Sequence, residues 1–170
     1  MLFRSPDAVR ALGIPVAGGV NRGIAWNKNR ALYLLSAVMG CDVVLLLEDD
    51  VHPDGLGWER PWVEGAARWG HLNWAAPWIA DRFVSGAGTP QDPTMCSVTS
   101  AQCAVFSAEA LRYAGYFDPR FRGFGHEHVE HSRRMIRCGY GGTDHVADGR
   151  EQVLFALLDG RFSMARSESF

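Results

Sequence analysis

The sequence has no dominant charge, no long apolar run, no cysteine framework and no internal repeat. Each absence closes a class of function. Seventeen basic and nineteen acidic residues leave a formal charge of −2. Nucleic acid is therefore not an expected partner, and no Lys/Arg run marks a membrane surface. No stretch approaches the ~20 apolar residues of a membrane span. The cysteines, Cys41, Cys96, Cys103 and Cys138, lack zinc-finger or zinc-ribbon spacing. Cys41 and Cys103 sit in apolar contexts, which predicts buried free thiols. A reducing cytoplasmic location fits this, with peripheral membrane association left open.

What is present suits an ordinary globular domain: 170 residues, 47% hydrophobic and 21% charged, enough for one domain with a real core. Met1–Ser5 matches a translated sequencing adapter, so residues 1–5 are expected to be a cloning or assembly scar, and Arg166–Glu168 a similar one. Residues 6–170 are then expected to be one partial domain of a longer open reading frame.

The chain is organised around Val43-Val44-Leu45-Leu46-Leu47-Glu48-Asp49-Asp50. Five consecutive apolar residues predict a fully buried strand of a parallel sheet. Three acids close it, at the end where open α/β sheets place ligands. Packed carboxylates stay ionised together only beside water or a cation, and hard oxygen ligands suit Mg²⁺ or Mn²⁺. An acidic turn after a core strand is the competing reading.

In chain order, residues 6–12 read as a short helix and 14–17 as a short strand. Asn27 is a candidate cap for a helix in which Ala31, Leu32, Leu34, Leu35 and Val38 recur at helical spacing up to Gly40. Trp58–Trp69 reads as an amphipathic helix with Trp62, Val63, Ala66 and Ala67 inward. His71–Ile79 is strand-like, and Phe83–Pro93, rich in glycine and proline, reads as a surface loop. Ser97–Phe106 reads as a strand, Ala108–Ala114 as a helix, and Glu127–Cys138 as a helix broken by Gly139. Residues 143–147 and 153–158 are further strand candidates. The alternation predicts an α/β fold with a mainly parallel sheet.

A second cluster, His126-Glu127-His128-Val129-Glu130-His131, packs three imidazoles and two carboxylates together. On a helix, Glu127, Glu130 and His131 share one face and His128 points elsewhere. These groups suit a general base, a metal ligand or a carboxylate gripping a hydroxyl. Acids in a first turn are also simply favourable with the helix dipole. The order is neither His-Glu-x-x-His nor its inverse, so a zinc protease is set aside.

Two passages together resemble the GT-A glycosyltransferases, particularly the family 2-like group and its galactosyl- and N-acetylgalactosaminyl-transferase relatives. The first is Asn21-Arg22-Gly23-Ile24-Ala25-Trp26-Asn27-Lys28-Asn29-Arg30-Ala31-Leu32, followed by Val43–Leu47 and Glu48-Asp49-Asp50, similar to the Asp-x-Asp metal motif. The second is Tyr113–Phe121 with Gly123-Phe124-Gly125-His126-Glu127-His128-Val129-Glu130. The likeness spans residues 17–140. It implies a three-layer GT-A sandwich, incomplete at its N-terminal side, since nothing before Ile14 resembles a nucleotide-base pocket.

It also implies an activity: metal-dependent transfer of a sugar from a nucleotide-diphosphate donor, a UDP-sugar first, to a carbohydrate or glycoconjugate hydroxyl. Asp50 would ligate Mn²⁺ or Mg²⁺, with His145 as a further ligand. Glu48, Asp49, Asn29 and Arg30 would face the donor, and Trp58 would stack a sugar. Glu127 would grip a hydroxyl, and His128 stands where many inverting members carry an aspartate base. Competing readings are a non-catalytic binder of nucleotide sugars or carbohydrate, and a nucleotidyltransferase-like metal enzyme.

Overall fold

A computed structural model describes residues 9–98, 100–123, 125–145, 151–158 and 162–164, without the side chains of 101, 144, 145, 151–153 and 162–164. Both expected scars, residues 1–5 and 166–168, lie outside these residues. Helix α1 (Ile24–Leu32) continues as a π-helical turn over Tyr33–Val38 and leads into β1 (Val43–Leu47). Next come β2 (Val51–Pro53), α2 (Arg60–Trp69), β3 (His71–Trp74) and a 3₁₀ segment over Pro77–Arg82. The middle of the chain supplies β4 (Phe83–Ser85), β5 (Thr94–Cys96), β6 (Ser100–Ser107) and α3 (Ala108–Ala114). The last elements are α4 (Glu127–Arg137), β7 (Gly142–His145), β8 (Glu151–Leu157) and β9 (Phe162–Met164).

The fold is α/β with a mixed sheet of mostly antiparallel strands. Its order is β1-β6-β3-β8-β5-β4, with β7 beside β8, and β2 pairs with β9 separately. Among the described residues the parallel pairing is β3 with β8; β1 runs antiparallel to β6, Val44 opposite Phe106 and Leu46 opposite Ala104. The expected mainly parallel sheet is corrected here. β1 also stands at an edge of the described sheet, with Leu47 37% exposed. A continuous apolar run reports that both faces are covered; it does not report the direction of the neighbouring strand.

Both faces of β6 are covered, whereas β1, expected to be fully buried, is buried at Val44 alone. Ala104 and Phe106 of β6 and Val44 of β1 pack with Ala25 and Leu32 of α1, Leu111 of α3 and Met135 of α4. The alternate residues Cys103 and Val105 pack with Trp62 and Ala66 of α2, Leu72 of β3 and Leu157 of β8. Period-two alternation thus feeds two cores from one strand.

Local signals set several boundaries. Ser107 Oγ accepts from the Ala110 amide at 3.1 Å and caps α3, which Gly115 ends at φ 77. The helix α1 begins at Ile24 rather than after Asn27: Gly23 at φ 102 is its N-cap, and Asn21 Oδ1 accepts the Gly23 amide at 3.0 Å. A Cβ on Gly23 would lie 2.5 Å from the Arg122 carbonyl oxygen, so only glycine permits this approach. On α2, Gly65 and Ala66 face inward, while Val63 and Ala67 are exposed, correcting the expected face. No strand forms over residues 14–17. Among the described residues, no helix is long and apolar enough to cross a membrane.

Candidate functional site

Strand β1 ends in a tight turn in which the Val51 amide donates to Glu48 O at 3.3 Å, and the Glu48 amide donates to Gln102 O at 2.9 Å. The acids are therefore fixed to the end of the β1–β6 ladder. Asp49 is exposed, while Asp50 is half-buried with Oδ1 buried and unpartnered among the described residues. A buried carboxylate oxygen without a donor is costly, and it marks a place for a cation or a donor group.

Helix α4 supplies the other half. Its N-cap, exposed His126, is the non-glycine residue with positive φ (69°) among those described. Backbone strain of this kind persists where surroundings enforce it, commonly at functional sites. The next residue, Glu127, is 3% exposed, and its Oε2 has no partner among the described residues.

Lys28 of α1 joins the two halves. Its Nζ lies 2.5 Å from Glu48 Oε1 and 3.4 Å from Glu127 Oε1. Glu48 in the turn after β1 and Glu127 at the imidazole-rich start of α4 thus meet at one ammonium. Sequence reasoning gave Lys28 no role, although a signal existed: it is the single lysine, set against sixteen arginines. A compact ammonium has three donors and can be shared by two carboxylates.

His128 also touches this cluster rather than pointing away. Its Nδ1 is 3.7 Å from Glu127 Oε1, too long for a hydrogen bond, and is buried without a partner among the described residues. Burial lowers its pKa below the usual histidine value; the Glu127 carboxylate opposes this and Lys28 adds to it. The imidazole is therefore mainly neutral near pH 7 and able to accept a proton.

The rest of the histidine-rich cluster serves packing. His131 Nε2 bonds the Gly115 carbonyl at 2.8 Å and its ring stacks on Phe117 at 4.2 Å. Ser132 Oγ is 3.1 Å from His71 Nε2, and Asn73 Nδ2 reaches both. His71 Nδ1 bonds Val105 O at 2.9 Å. Burial pushes His71 down to about 4 and His131 down to about 3. Glu130 takes a two-pronged bond from Arg134, whose guanidinium also grips the Ala114 and Tyr116 carbonyls.

Other expected donor contacts are committed elsewhere. Asn29 clasps the Phe117 backbone, donating to its carbonyl at 2.8 Å and accepting its amide at 2.8 Å. Arg30 donates to Val20 O at 2.6 Å and covers Gly19. Trp58 is half-buried and packs against the α2-side core. His145 ends β7, but its side chain lies outside the described residues.

As to a metal, no group of three His, Cys, Asp or Glu side chains among the described residues is placed to hold an ion. The orphaned Asp50 oxygen fits a looser arrangement, since Mg²⁺ is commonly held by one or two carboxylates plus substrate phosphates. Cys96 and Cys103 are buried and Cys41 half-buried; all are free thiols, as is exposed Cys138. Compared with protein-family models, curated proteins and solved structures, the chain matches none.

Proposed function

We propose that the chain carries the chemical end of a GT-A-type glycosyltransferase, moving a sugar from a nucleotide-diphosphate donor to a carbohydrate or glycoconjugate hydroxyl in the cytoplasm. The observation that carries this reading is the Lys28 ammonium shared by Glu48 and Glu127. It brings together the two passages on which the resemblance rests.

In this reading Asp50 would hold Mn²⁺ or Mg²⁺, which would supply neutralisation of charge on the diphosphate leaving group. The unpartnered Glu127 Oε2 accepts a hydrogen bond from a sugar hydroxyl. Neutral His128 takes the proton from the attacking hydroxyl. Lys28 orients Glu127 and prevents the acids of the site from repelling one another.

The competing reading is a non-catalytic binder of nucleotide sugars. Calorimetry with uridine and guanosine diphosphates, with and without Mn²⁺, separates the readings when paired with a labelled-sugar transfer assay. The proposal expects metal-dependent diphosphate binding that Asp50→Ala abolishes, and measurable transfer. Metal-dependent binding without transfer or hydrolysis supports the binder; Asp50→Ala with unchanged affinity refutes the metal assignment.

A further inference from the structure

A second cavity, of about 500 Å³, lies between the start of α1 and the turn preceding α4. Among the described residues it is lined by Arg22, Trp26, Pro119 and Arg122. We infer that this cavity is an oxyanion site, taking a phosphate or carboxylate group.

The chemistry of the lining is one-sided. Two guanidiniums and an indole N–H are hydrogen-bond donors without acceptor capacity, and proline offers no N–H. Neither Arg22 nor Arg122 forms an ion pair among the described residues. The acid beside them in sequence, Asp118, is already taken. Arg120 Nε donates to its two oxygens at 3.0 and 2.8 Å, Arg120 Nη2 donates at 2.5 Å, and the Arg120 amide donates at 2.9 Å. The side-chain bonds from Arg120 hold its carboxyl down to about 2. Two positive charges and no free carboxylate therefore face this space from the described side chains.

The geometry is also built rather than incidental. Arg22 lies over the Trp26 ring, 5.5 Å from its centroid, which restrains the guanidinium. The Trp26 Nε1–H is buried and has no acceptor among the described residues. Because that atom has almost no accessible surface, an oxyanion binds through the two exposed guanidiniums, and the indole beneath Arg22 reports its arrival. The two walls abut where Gly23 meets the Arg122 carbonyl, so the arginines are carried on a fixed frame. Arginine pairs suit such groups because their forked donors match a phosphate or carboxylate edge.

Lys28, Glu48 and Glu127 do not line this cavity, and the Lys28 ammonium is already shared by the two acids. The site does not depend on the sugar-transfer reading. The anion could belong to a diphosphate or to an acidic sugar, and the two are separable by titration.

The test follows the indole N–H signal of Trp26 in the ¹⁵N-labelled full chain, assigned with Trp26→Phe. Inorganic pyrophosphate and glucuronate are titrated separately, with glucose as the neutral control. The inference expects saturable movement with at least one anion, none with glucose, and affinity weakened about tenfold or more in Arg22→Gln/Arg122→Gln. Both arginines are exposed, so that variant keeps the remaining indole signals of the folded chain. Preference for pyrophosphate assigns the site to a diphosphate, and preference for glucuronate assigns it to an acidic sugar. No saturable shift with either anion, or unchanged affinity in the double variant, overturns the inference. Glu127→Gln is expected to leave anion binding intact, so loss of sugar transfer and loss of this site are distinguishable.

Discussion

Lys28 Nζ lies 2.5 Å from Glu48 Oε1, tying the middle of helix α1 to the turn that ends strand β1. The same nitrogen reaches Glu127 at 3.4 Å, where the carboxylate is almost wholly buried. Removing one partner of a buried ionic cluster leaves an uncompensated charge, which typically costs 3–5 kcal/mol. Glu48 is partly exposed and softens this. Lys28→Met is expected to cost roughly 3 kcal/mol in urea denaturation. Lys28→Met/Glu127→Gln should recover much of that loss, because the residues are in contact and their effects do not add. Simple additivity would show that the contact does not govern stability.

Asn29 gives a contrast between holding the fold and holding a ligand. Its side chain satisfies both the amide and the carbonyl of Phe117. Asn29→Ala should lower stability by about 2 kcal/mol, since two backbone groups lose partners. Asn29→Asp should cost as much, because a carboxylate cannot donate to the Phe117 carbonyl. Thermal melts check this. A variant as stable as the parent but deficient in nucleotide binding would restore the donor-facing role.

The buried imidazoles set an acid limit. His71 and His131 titrate near 4 and 3 in the folded chain, against about 6.5 when unfolded. The unfolded state therefore binds protons first as pH falls. The stability contributed by the neutral rings is complete above pH ~6.5 and drains as pH drops towards the folded values. Each ring costs up to about 1.4 kcal/mol per pH unit in that window. Urea midpoints should fall steeply between pH 7 and 5. A flat profile would contradict the burial of these rings as neutral species.

Gly23 is expected to be intolerant. With φ 102 and the Arg122 carbonyl where a Cβ would stand, Gly23→Ala must push α1 away from the turn before α4. The cost should exceed the ~1 kcal/mol by which alanine favours a helix interior over glycine. A calorimetric scan showing an unchanged or raised Tm would refute the close approach.

The sequence disclosed elements better than their arrangement. Strand β1 was legible because five apolar residues end in acids, and α3 because Ser107 caps it and Gly115 ends it. Strand direction was not legible, since apolarity on both faces arises equally in antiparallel strands covered by helices. The inward face of α2 was misjudged because Gly65 carries no hydrophobic signal, yet a Cβ there would meet Leu72 Cδ1 at 2.2 Å. The density of chemistry in α4 was also misleading in part. Glu127 and His128 border the Lys28 cluster, while His131 and Ser132 bond to neighbouring elements and Glu130 pairs with Arg134 on its own helix. Residue type does not distinguish a histidine that accepts a proton from one that fills a core.

Glu127 offers the most direct test of sugar transfer at this site. Transfer of labelled sugar from a UDP-sugar to a mixed pool of glycans should fall about 100-fold in Glu127→Gln, given the ~10²–10³-fold typical of losing one positioned hydrogen-bonding group. Calorimetric affinity for uridine diphosphate with Mn²⁺ should stay unchanged. A Glu127→Gln protein as active as the parent would contradict the account, as would a parent chain that neither binds the diphosphate nor transfers sugar.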